Sequence, residues 1–338
     1  MPDDRTSRID AFLAANGWGS AARHALAGDA SNRRYLRLAQ PDGARAVLMD
    51  APPERGEDVR PFTAIARHLG SLGLSAPAIL AQDTQAGLLL LEDLGDALYA
   101  RVLECTPALE PELYRAATDL LVDLHRHAPP PGLAPYDPPL MADLAALALD
   151  WYHHGATGDG NAALRARLCA MLETHLAALP EGESVLIQRD YHAENLLWLP
   201  DRAGVARVGL LDFQDAMRGH RAYDLVSLLQ DARRDVSPAT ADAMLAHYIA
   251  ATGADAEGFT TAFHWLGAQR NLRILGVFAR LSLRDGKPHY VALIPRVWAH
   301  LQTDLRHPAL APLAALVQEV LPPPTPAHLA HLTSGHAT

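Results

Sequence analysis

The chain has 338 residues, of which 49% are hydrophobic and 20% charged, and its formal net charge at pH 7 is −10. This composition is typical of a globular protein with a substantial core, and the length favours two lobes or domains. The negative charge argues against a broad surface for nucleic acid or an anionic membrane, and the sequence has neither a signal peptide nor an apolar run long enough to span a bilayer. We therefore expect a cytoplasmic protein. Its two cysteines, Cys105 and Cys169, are too far apart in sequence to indicate a zinc site or a disulfide framework.

The first third of the chain has the pattern of a small β-rich lobe. Strands are indicated by short apolar runs that turn residues separate, and one helix by apolar residues at helical spacing from Phe62 to Leu72. The predicted elements are a helix at 8–15, a strand before residue 27, strands at 34–38 and 46–49, the helix at 62–72, and strands at 78–80 and 88–91.

The pattern changes at Glu92-Asp93-Leu94-Gly95, which predicts a boundary between lobes. Beyond it, helical spacing dominates to about residue 320, and a proline-rich segment follows. We therefore expect a bilobal α+β fold with a small β-rich N-lobe and a larger helical C-lobe. The predicted parts are an N-terminal lobe at 1–92, a hinge at 93–96, a C-terminal lobe at 97–321 and a mobile tail at 322–338.

Three short apolar runs in the C-terminal lobe surround two polar loops. Asp190 stands five residues before Asn195, and Asp212 follows the third run. Phosphoryl transfer needs a carboxylate that accepts a proton from a hydroxyl, and oxygen ligands that hold Mg²⁺ on the ATP phosphates. Asp190 fits the first role, whereas Asn195 and Asp212 fit the second, in the order of the kinase catalytic and metal-binding loops. The alternative is a pair of surface loops capped by acids.

Five stretches carry a family resemblance: Gly28–Tyr35, Met49–Pro53, Arg189–Asn195, Leu211–Asp215 and Asp231–Asp235. With the two lobes, they make residues 10–320 resemble the aminoglycoside phosphotransferase family, which has the protein-kinase-like fold. The stretches are closer still to one branch of that family, the anomeric N-acetylmuramate/N-acetylglucosamine kinases of peptidoglycan recycling, a part of cell-wall metabolism.

The resemblance implies a role for each matching residue. Asp190 would be the catalytic base, and Asn195 with Asp212 would bind Mg²⁺. Asp224 would brace the catalytic loop. The ATP phosphates would lie under a turn, and the adenine would meet the main chain of the hinge; the implied nucleotide-binding residues are Gly28, Asp29, Ala30, Ser31, Asn32, Glu92 and Leu94.

Two positions depart from the family pattern. Gln188-Arg189 replaces the histidine that precedes the catalytic aspartate, and the strand Val47–Asp50 lacks the ATP-binding lysine. Lysine is scarce in this chain, and Lys287 lies far off in the sequence. Our candidate for the missing cation is Arg34, which shares a predicted strand face with Leu36 and Leu38. The alternative is that Arg34 is a solvated surface arginine.

The acceptor is expected to be a small amino sugar. A muramic sugar carries a lactyl carboxylate that an arginine can bind in a bidentate manner. The candidate substrate-binding residues are His192, Glu194, Gln214, Asp215, Arg233, Arg234 and Arg270, with Arg273 as a further arginine to consider. Each has an ordinary alternative as loop filling, a turn-stabilising acid or a solvated helix end.

We therefore expect an ATP- and Mg²⁺-dependent sugar kinase that phosphorylates an anomeric hydroxyl. Two alternatives stay open. The same chemistry would serve another acceptor, such as an aminoglycoside or a choline-like alcohol. A non-catalytic kinase-like binding module would account for the missing lysine, but not for the presence of Asp190, Asn195 and Asp212 together. The sequence leaves the nucleotide preference and the oligomeric state open and is compatible with a monomer.

Overall fold

The computed structural model describes residues 4–26, 32–157, 162–180 and 184–334. The chain divides into two compact units. The first contains Met1–Leu120 and Ala193–Ala216, and the second contains Leu121–His192 and Met217–Thr338. The chain therefore leaves the second unit between the predicted catalytic Asp190 and the predicted metal ligand Asn195.

Helices form most of the described chain. Within the described residues they are α1 (Asp4–Ala15), α2 (Arg60–Ser71), α3 (Tyr99–Cys105), α4 (Glu110–Leu124), α5 (Pro138–Ala145), α6 (His154–Thr157), α7 (Ala162–Ala177), α8 (Ala222–Leu229), α9 (Pro238–Thr252), α10 (Ala256–Leu283), α11 (Ile294–Asp304), α12 (Ala311–Val320) and α13 (Pro326–Ser334). None of them is both long and apolar enough to cross a membrane.

The strands are β1 (Ala22–Leu26), β2 (Arg34–Ala39), β3 (Arg45–Asp50), β4 (Ile79–Asp83), β5 (Leu88–Glu92), β6 (Val185–Ile187), β7 (Leu196–Trp198), β8 (Val208–Leu210) and β9 (Met217–Gly219). The first five form an antiparallel sheet in the order β1-β2-β3-β5-β4, while β7 pairs with β8 and β6 pairs with β9. The predicted α+β architecture, with a β-rich N-terminal part and a helical remainder, is confirmed.

The core of the first unit lies between α1 and one face of the five-stranded sheet. Because successive residues of a strand point to opposite faces, the alternating apolar residues of three strands meet α1. The buried residues of this cluster are Ile9, Leu13, Ala21, Leu38, Ala46, Leu48, Leu88 and Leu90. The side chains of β2 and β3 that alternate with these therefore lie on the opposite face.

The division between the units falls at Leu120 and not at the predicted hinge, because the residues after the hinge pair with the β7 segment. Ala100 donates its N–H to the carbonyl of Ala193 at 3.1 Å, and Trp198 donates to Ala97 at 2.8 Å. These bonds tie the start of the helical part to the first unit. That residues 93–96 act as a hinge stays a prediction.

The central helix of the second unit is α10, which packs against α5, α8 and α11. Gly276 allows a close approach, since a Cβ built there would lie 2.2 Å from the carbonyl carbon of Leu147. A side chain at this position would force apart the helix and the segment that follows α5.

Three segments differ from the sequence-based expectation. The strand predicted before Asp212 is shorter, since Gly204–Arg207 form a 3₁₀ helix that the Trp198 ring stabilises through the Arg207 guanidinium, 4.5 Å from its centroid. Residues Ala148–His153, in a segment whose pattern predicts a helix at about 141–153, form a π-helix. The proline-rich segment predicted to be a mobile tail contains α13, whose Leu332 is fully buried.

Candidate active site

The catalytic loop of the second unit is anchored by a buried acid on α8. Asp224 accepts hydrogen bonds from the backbone N–H groups of Gln188 at 2.6 Å and Arg189 at 2.9 Å. Ser227, on the same helix, donates to the Arg189 carbonyl at 3.2 Å. These bonds hold Arg189 in the left-handed region, with φ of 72°. The brace that the family resemblance implies for Asp224 is therefore formed by direct bonds to the residues just before Asp190.

Burial raises the pKa of Asp224 to about 7, although the two backbone N–H donors act in the opposite direction. The carboxyl group has no exposed surface. Its charge therefore depends on the bonds that it makes to the catalytic loop.

Asp190 lies in a cationic environment within the same unit. Burial by itself would raise the pKa of its carboxyl, but Arg273, His192, Arg270 and Arg189 lower it below the usual value. An ionised carboxylate is the form that accepts a proton from an attacking hydroxyl. The electrostatics of the second unit thus suit the role predicted for Asp190.

Arg273 on α10 is part of an aromatic and cationic cluster beside Asp190. It donates to the Tyr223 hydroxyl at 3.3 Å, and that hydroxyl lies 3.3 Å from the hydroxyl of Tyr136. The Arg189 guanidinium lies 5.4 Å from the centroid of the Tyr136 ring. Burial opposes the charge of Arg273, but Tyr223, Tyr136 and Asp190 together raise its pKa. Its spacing three residues after Arg270 in an apolar helix is the one sequence signal that pointed to it.

The predicted acceptor residues of the second unit have different surroundings. His192 is buried, and its Nε2 atom lies 3.2 Å from Nη1 of Arg233. Arg270 is 3% exposed and donates to the Ser227 hydroxyl and the Gln230 carbonyl. It therefore stabilises the packing of α10 on α8. Arg234 is partly buried.

The predicted metal ligands lie at one end of the β7–β8 hairpin in the first unit. Leu196 pairs with Leu210, and the Leu211 N–H donates to the carbonyl of Asn195 at 3.0 Å. Asn195 is therefore bonded to Leu211, the residue directly before Asp212. Asp212 is exposed and has φ of 56°, a backbone conformation that is uncommon for a residue other than glycine.

An aromatic stack holds the segment that follows Asp212. Phe213 is fully buried, and its ring centroid lies 4.8 Å from that of Phe62 on α2. The Gln214 side chain donates to Oδ1 of Asp212 at 2.7 Å, and Asp215 is exposed. Glu194, another predicted acceptor residue, is partly buried in the same unit.

Asn195 and Asp212 present one amide oxygen and one carboxylate, which suits a hard cation such as Mg²⁺. No group of three or more His, Cys, Asp or Glu side chains in the described part of the chain is arranged to hold a metal ion. Mg²⁺ is commonly held by one or two protein oxygens together with substrate phosphates and water. The donor set therefore fits a metal that arrives with a nucleotide.

The structure describes some of the predicted nucleotide-binding residues. Gly28, Asp29, Ala30 and Ser31 lie outside the described residues. The N–H of Asn32 donates to Oε1 of Glu57 at 3.0 Å, and the Asn32 side chain donates to the Arg55 carbonyl. In the hinge region, Oε1 of Glu92 accepts from Arg202 at 2.6 Å, and Leu94 is partly buried.

Arg34 lies on the sheet face toward α1, where its side chain stays 58% exposed. It is paired with Asp50 across β2 and β3, and its Nη2 and Nε atoms donate to that carboxylate at 2.6 and 3.0 Å. Arg5 on α1 donates to the other oxygen of Asp50 at 2.8 Å. Asp50 is 1% exposed, so these two arginines compensate a buried charge. This placement argues against the phosphate-binding role predicted for Arg34.

The comparisons with known proteins identify the family. The family model described as the phosphotransferase enzyme family matches residues 23–259. The chain belongs to the phosphotransferase enzyme family. The predicted family resemblance and the predicted enzyme class are thereby confirmed.

Two relatives of this phosphotransferase are similar over almost their whole length. An N-acetylmuramate/N-acetylglucosamine kinase of Caulobacter vibrioides is 42% identical, and the match covers 95% of this chain and 98% of the relative. A protein of the same name from Pseudomonas aeruginosa is 36% identical, over 92% and 93% of the two chains.

Among solved structures, a choline/ethanolamine kinase family protein from Mesorhizobium loti is similar with a TM-score of 0.63. The match covers 98% of this chain and 100% of that one, at 16% sequence identity. This likeness supports the fold.

Proposed function

We propose that the chain is an ATP- and Mg²⁺-dependent kinase that phosphorylates the anomeric hydroxyl of N-acetylmuramate and N-acetylglucosamine, in the cytoplasmic recycling of peptidoglycan. The observation that carries the proposal is the set of relatives with that name, matched at 36–42% identity over more than nine-tenths of each chain. The cationic surroundings of Asp190 add independent support.

In the proposed reaction, the anomeric oxygen attacks the γ-phosphorus of ATP, and the bond from that phosphorus to the β,γ-bridging oxygen breaks. The products are the sugar 1-phosphate and ADP. Asp190 orients the hydroxyl and accepts its proton, which makes the oxygen a better nucleophile. Because arginines lower its pKa, Asp190 is ionised before the proton arrives.

The first unit contributes the metal ligands in this mechanism. Asn195 and Asp212 would hold Mg²⁺, which when bound neutralises charge on the nucleotide phosphates. The bond from Gln214 to Oδ1 of Asp212 and the buried ring of Phe213 support this role. The rate enhancement then comes chiefly from positioning and charge stabilisation.

The charge around Asp190 favours an anionic acceptor over a cationic one. The guanidinium groups of Arg273, Arg270 and Arg189 act on Asp190. A choline-like alcohol or an aminoglycoside carries positive charge that these groups would repel, whereas the lactyl carboxylate of N-acetylmuramate would be attracted. Arg273 is the arginine that we assign to this carboxylate, because it lies among aromatic hydroxyls beside the proposed base.

The direct test measures ADP release by the purified protein with N-acetylmuramate, N-acetylglucosamine, glucose, an aminoglycoside and choline as acceptors. We expect turnover of the two amino sugars, no turnover of their 1-O-methyl glycosides, and phosphate on the anomeric oxygen by ³¹P NMR. Phosphate on the 6-hydroxyl would contradict the anomeric assignment, and the absence of turnover with any acceptor would favour a binding module.

The acceptor preference gives a second readout. Arg273→Gln should lower kcat/KM for N-acetylmuramate relative to that for N-acetylglucosamine by about 10–150-fold, since a hydrogen bond to a charged group contributes about 1.5–3 kcal/mol. The ratio of the two kcat/KM values isolates recognition of the lactyl carboxylate, because any effect of the substitution on Asp190 lowers turnover of both sugars equally. The exposed Arg306, replaced in the same way, is the matched control. An unchanged ratio in Arg273→Gln would remove Arg273 from carboxylate recognition.

A further inference from the structure

The strand β3 has no lysine where a kinase of this fold places its ATP-binding cation. Met49 pairs directly with Tyr35 of β2, so their side chains share the sheet face opposite α1. Arg34 and Asp50 lie on the face toward α1. A cation that replaces the lysine should therefore project from the Tyr35 face.

Arg33 meets this requirement. It stands directly before β2, in alternation with Tyr35 and Arg37. Its Nε atom donates to Oε2 of Glu57 at 2.7 Å, and the two side chains are only 13% and 11% exposed. A buried, hydrogen-bonded guanidinium in this position is held in place far more firmly than a solvated surface arginine.

Glu57 has a second bond that ties Arg33 to the predicted phosphate-binding turn. Its other oxygen, Oε1, accepts the backbone N–H of Asn32 at 3.0 Å. One carboxylate thus fixes both the guanidinium and the last residue of that turn. Glu57 is just ahead of α2, the helix whose Phe62 stacks on Phe213.

Electrostatic interactions connect this face to the metal-ligand segment of the same unit. The charge of Asp215 acts on Arg33, and that of Asp212 acts on Tyr35. Burial opposes the charge of Arg33, but Tyr35, Glu57 and Asp215 outweigh it and raise the pKa of the guanidinium. Arg33 therefore keeps its positive charge near Asp215, which stands three residues after the proposed Mg²⁺ ligand Asp212.

We infer that Arg33 is the phosphate-binding cation of this kinase, in place of the absent lysine, and that Glu57 positions it. The inference rests on the proposed function, because it assigns the phosphates to a nucleotide. The arrangement parallels the kinase lysine that binds phosphate while paired with a glutamate. A guanidinium has five N–H donors, so a bond to Glu57 is compatible with a phosphate as a second anionic partner.

Arg37, the next arginine on this face, is engaged elsewhere. It donates to Asp96 at 2.7 Å and to Asp93 at 3.0 Å, both in the predicted hinge. Arg37 therefore stabilises the connection at 93–96. Arg33 is the arginine of this face that is joined to the predicted phosphate turn.

The test is nucleotide binding in the absence of acceptor. Calorimetry measures two dissociation constants. One is the Kd of a non-hydrolysable ATP analogue in the presence of Mg²⁺, and the other is the Kd of adenosine, which has no phosphates. Arg33→Gln should raise the Kd of the ATP analogue at least about tenfold and leave the Kd of adenosine within about twofold of the native value. Arg34→Gln tests the other candidate cation of this strand and should leave both values near those of the native protein. Arg33→Lys should recover part of the loss, since it restores the charge but not the fork geometry.

Glu57→Gln provides a variant that keeps Arg33 itself, should Arg33→Gln fail to fold. We expect a smaller loss of affinity for the ATP analogue, because the guanidinium keeps its charge and loses its fixed position. Native affinity in both Arg33→Gln and Glu57→Gln would overturn the assignment, as would a loss confined to Arg34→Gln.

The outcome for Arg33 is distinguishable from that for the proposed function. A native protein that binds the ATP analogue through Arg33, but turns over no sugar, would contradict the sugar-kinase proposal alone. Sugar turnover whose KM for ATP is unchanged in Arg33→Gln would contradict the assignment of Arg33 alone.

Discussion

The loop that carries Asp190 and the loop that carries Asp212 are fixed by opposite kinds of interaction. The first is held by a buried carboxylate, Asp224, that accepts two backbone N–H groups. The second is held by an apolar contact, the stack of Phe213 on Phe62. A polar anchor sets hydrogen-bond directions, whereas an aromatic anchor sets position through packing.

Both loops nevertheless contain the same backbone feature. Arg189 and Asp212 are the two non-glycine residues of the described chain with positive φ. Such conformations cost about 1–3 kcal/mol each and persist where the surroundings hold them in place. The comparison suggests that chemistry and stability can be separated by changing the anchor or the functional residue one at a time.

The largest expected effect comes from removing the proposed base while both anchors stay intact. Asp190→Asn should lower kcat by about 10²–10⁴-fold, because a general base contributes about that much. The free energy of unfolding, and the Kd of the ATP analogue in the presence of Mg²⁺, should change little. Asp201→Asn, at an exposed acid of the first unit, is the control and should keep native kcat. Native turnover in Asp190→Asn would mean that another group accepts the proton.

The apolar anchor is tested by Phe213→Ala. Removal of a buried aromatic ring should lower the free energy of unfolding by about 3–5 kcal/mol, as urea titration measures. The Mg²⁺ concentration needed for half-maximal turnover should rise as well, because Asp212 loses its fixed neighbour. Phe213→Leu fills more of the space of the ring. It should therefore lower the free energy of unfolding less and raise the required Mg²⁺ concentration less. Full stability in Phe213→Ala would show that the stack on Phe62 does not anchor this loop.

The polar anchor should make stability depend on pH. The pKa of Asp224 is about 7 in the folded protein, above the value of about 3.9 for an unfolded chain, so the folded state binds the proton more tightly. Its contribution to stability is therefore lost as pH rises from about 4 to 7, by roughly 4 kcal/mol in total.

Urea unfolding at pH 5 and pH 8 measures this dependence. The native protein should lose more stability between the two values than Asp224→Asn, which does not titrate. Parallel losses in the two proteins would place the titration of Asp224 outside this range.

The sequence predicted candidate site residues where their spacing depends on local order. Asp190, Asn195 and Asp212 follow one another in a short stretch whose strands and loops have clear apolar boundaries, and the fold class followed from the change in pattern near residue 92. The strands of the first sheet were also predictable, because apolar and polar residues alternate along them.

The sequence could not decide which arginine serves which acid, because ion pairs join residues that are distant in the chain. Arg34 shares a face with Leu36 and Leu38, as predicted, but that face is covered by α1 and contains Asp50. The bond from Arg33 to Glu57 spans both strands β2 and β3, the turn between them and the loop that follows. Likewise, only the packing of α10 brings Arg273 to Tyr223.

The scarcity of lysine in this kinase has a practical consequence for chemical labelling. Lys287 is the one lysine side chain of the whole sequence, and it stands in the short loop after α10. Reagents that trap lysine amines, including nucleotide analogues that carry amine-reactive groups, would therefore report on this loop wherever the nucleotide binds. Dicarbonyl reagents that attack guanidinium groups, with and without bound nucleotide, are the suitable way to footprint the phosphate site of this protein.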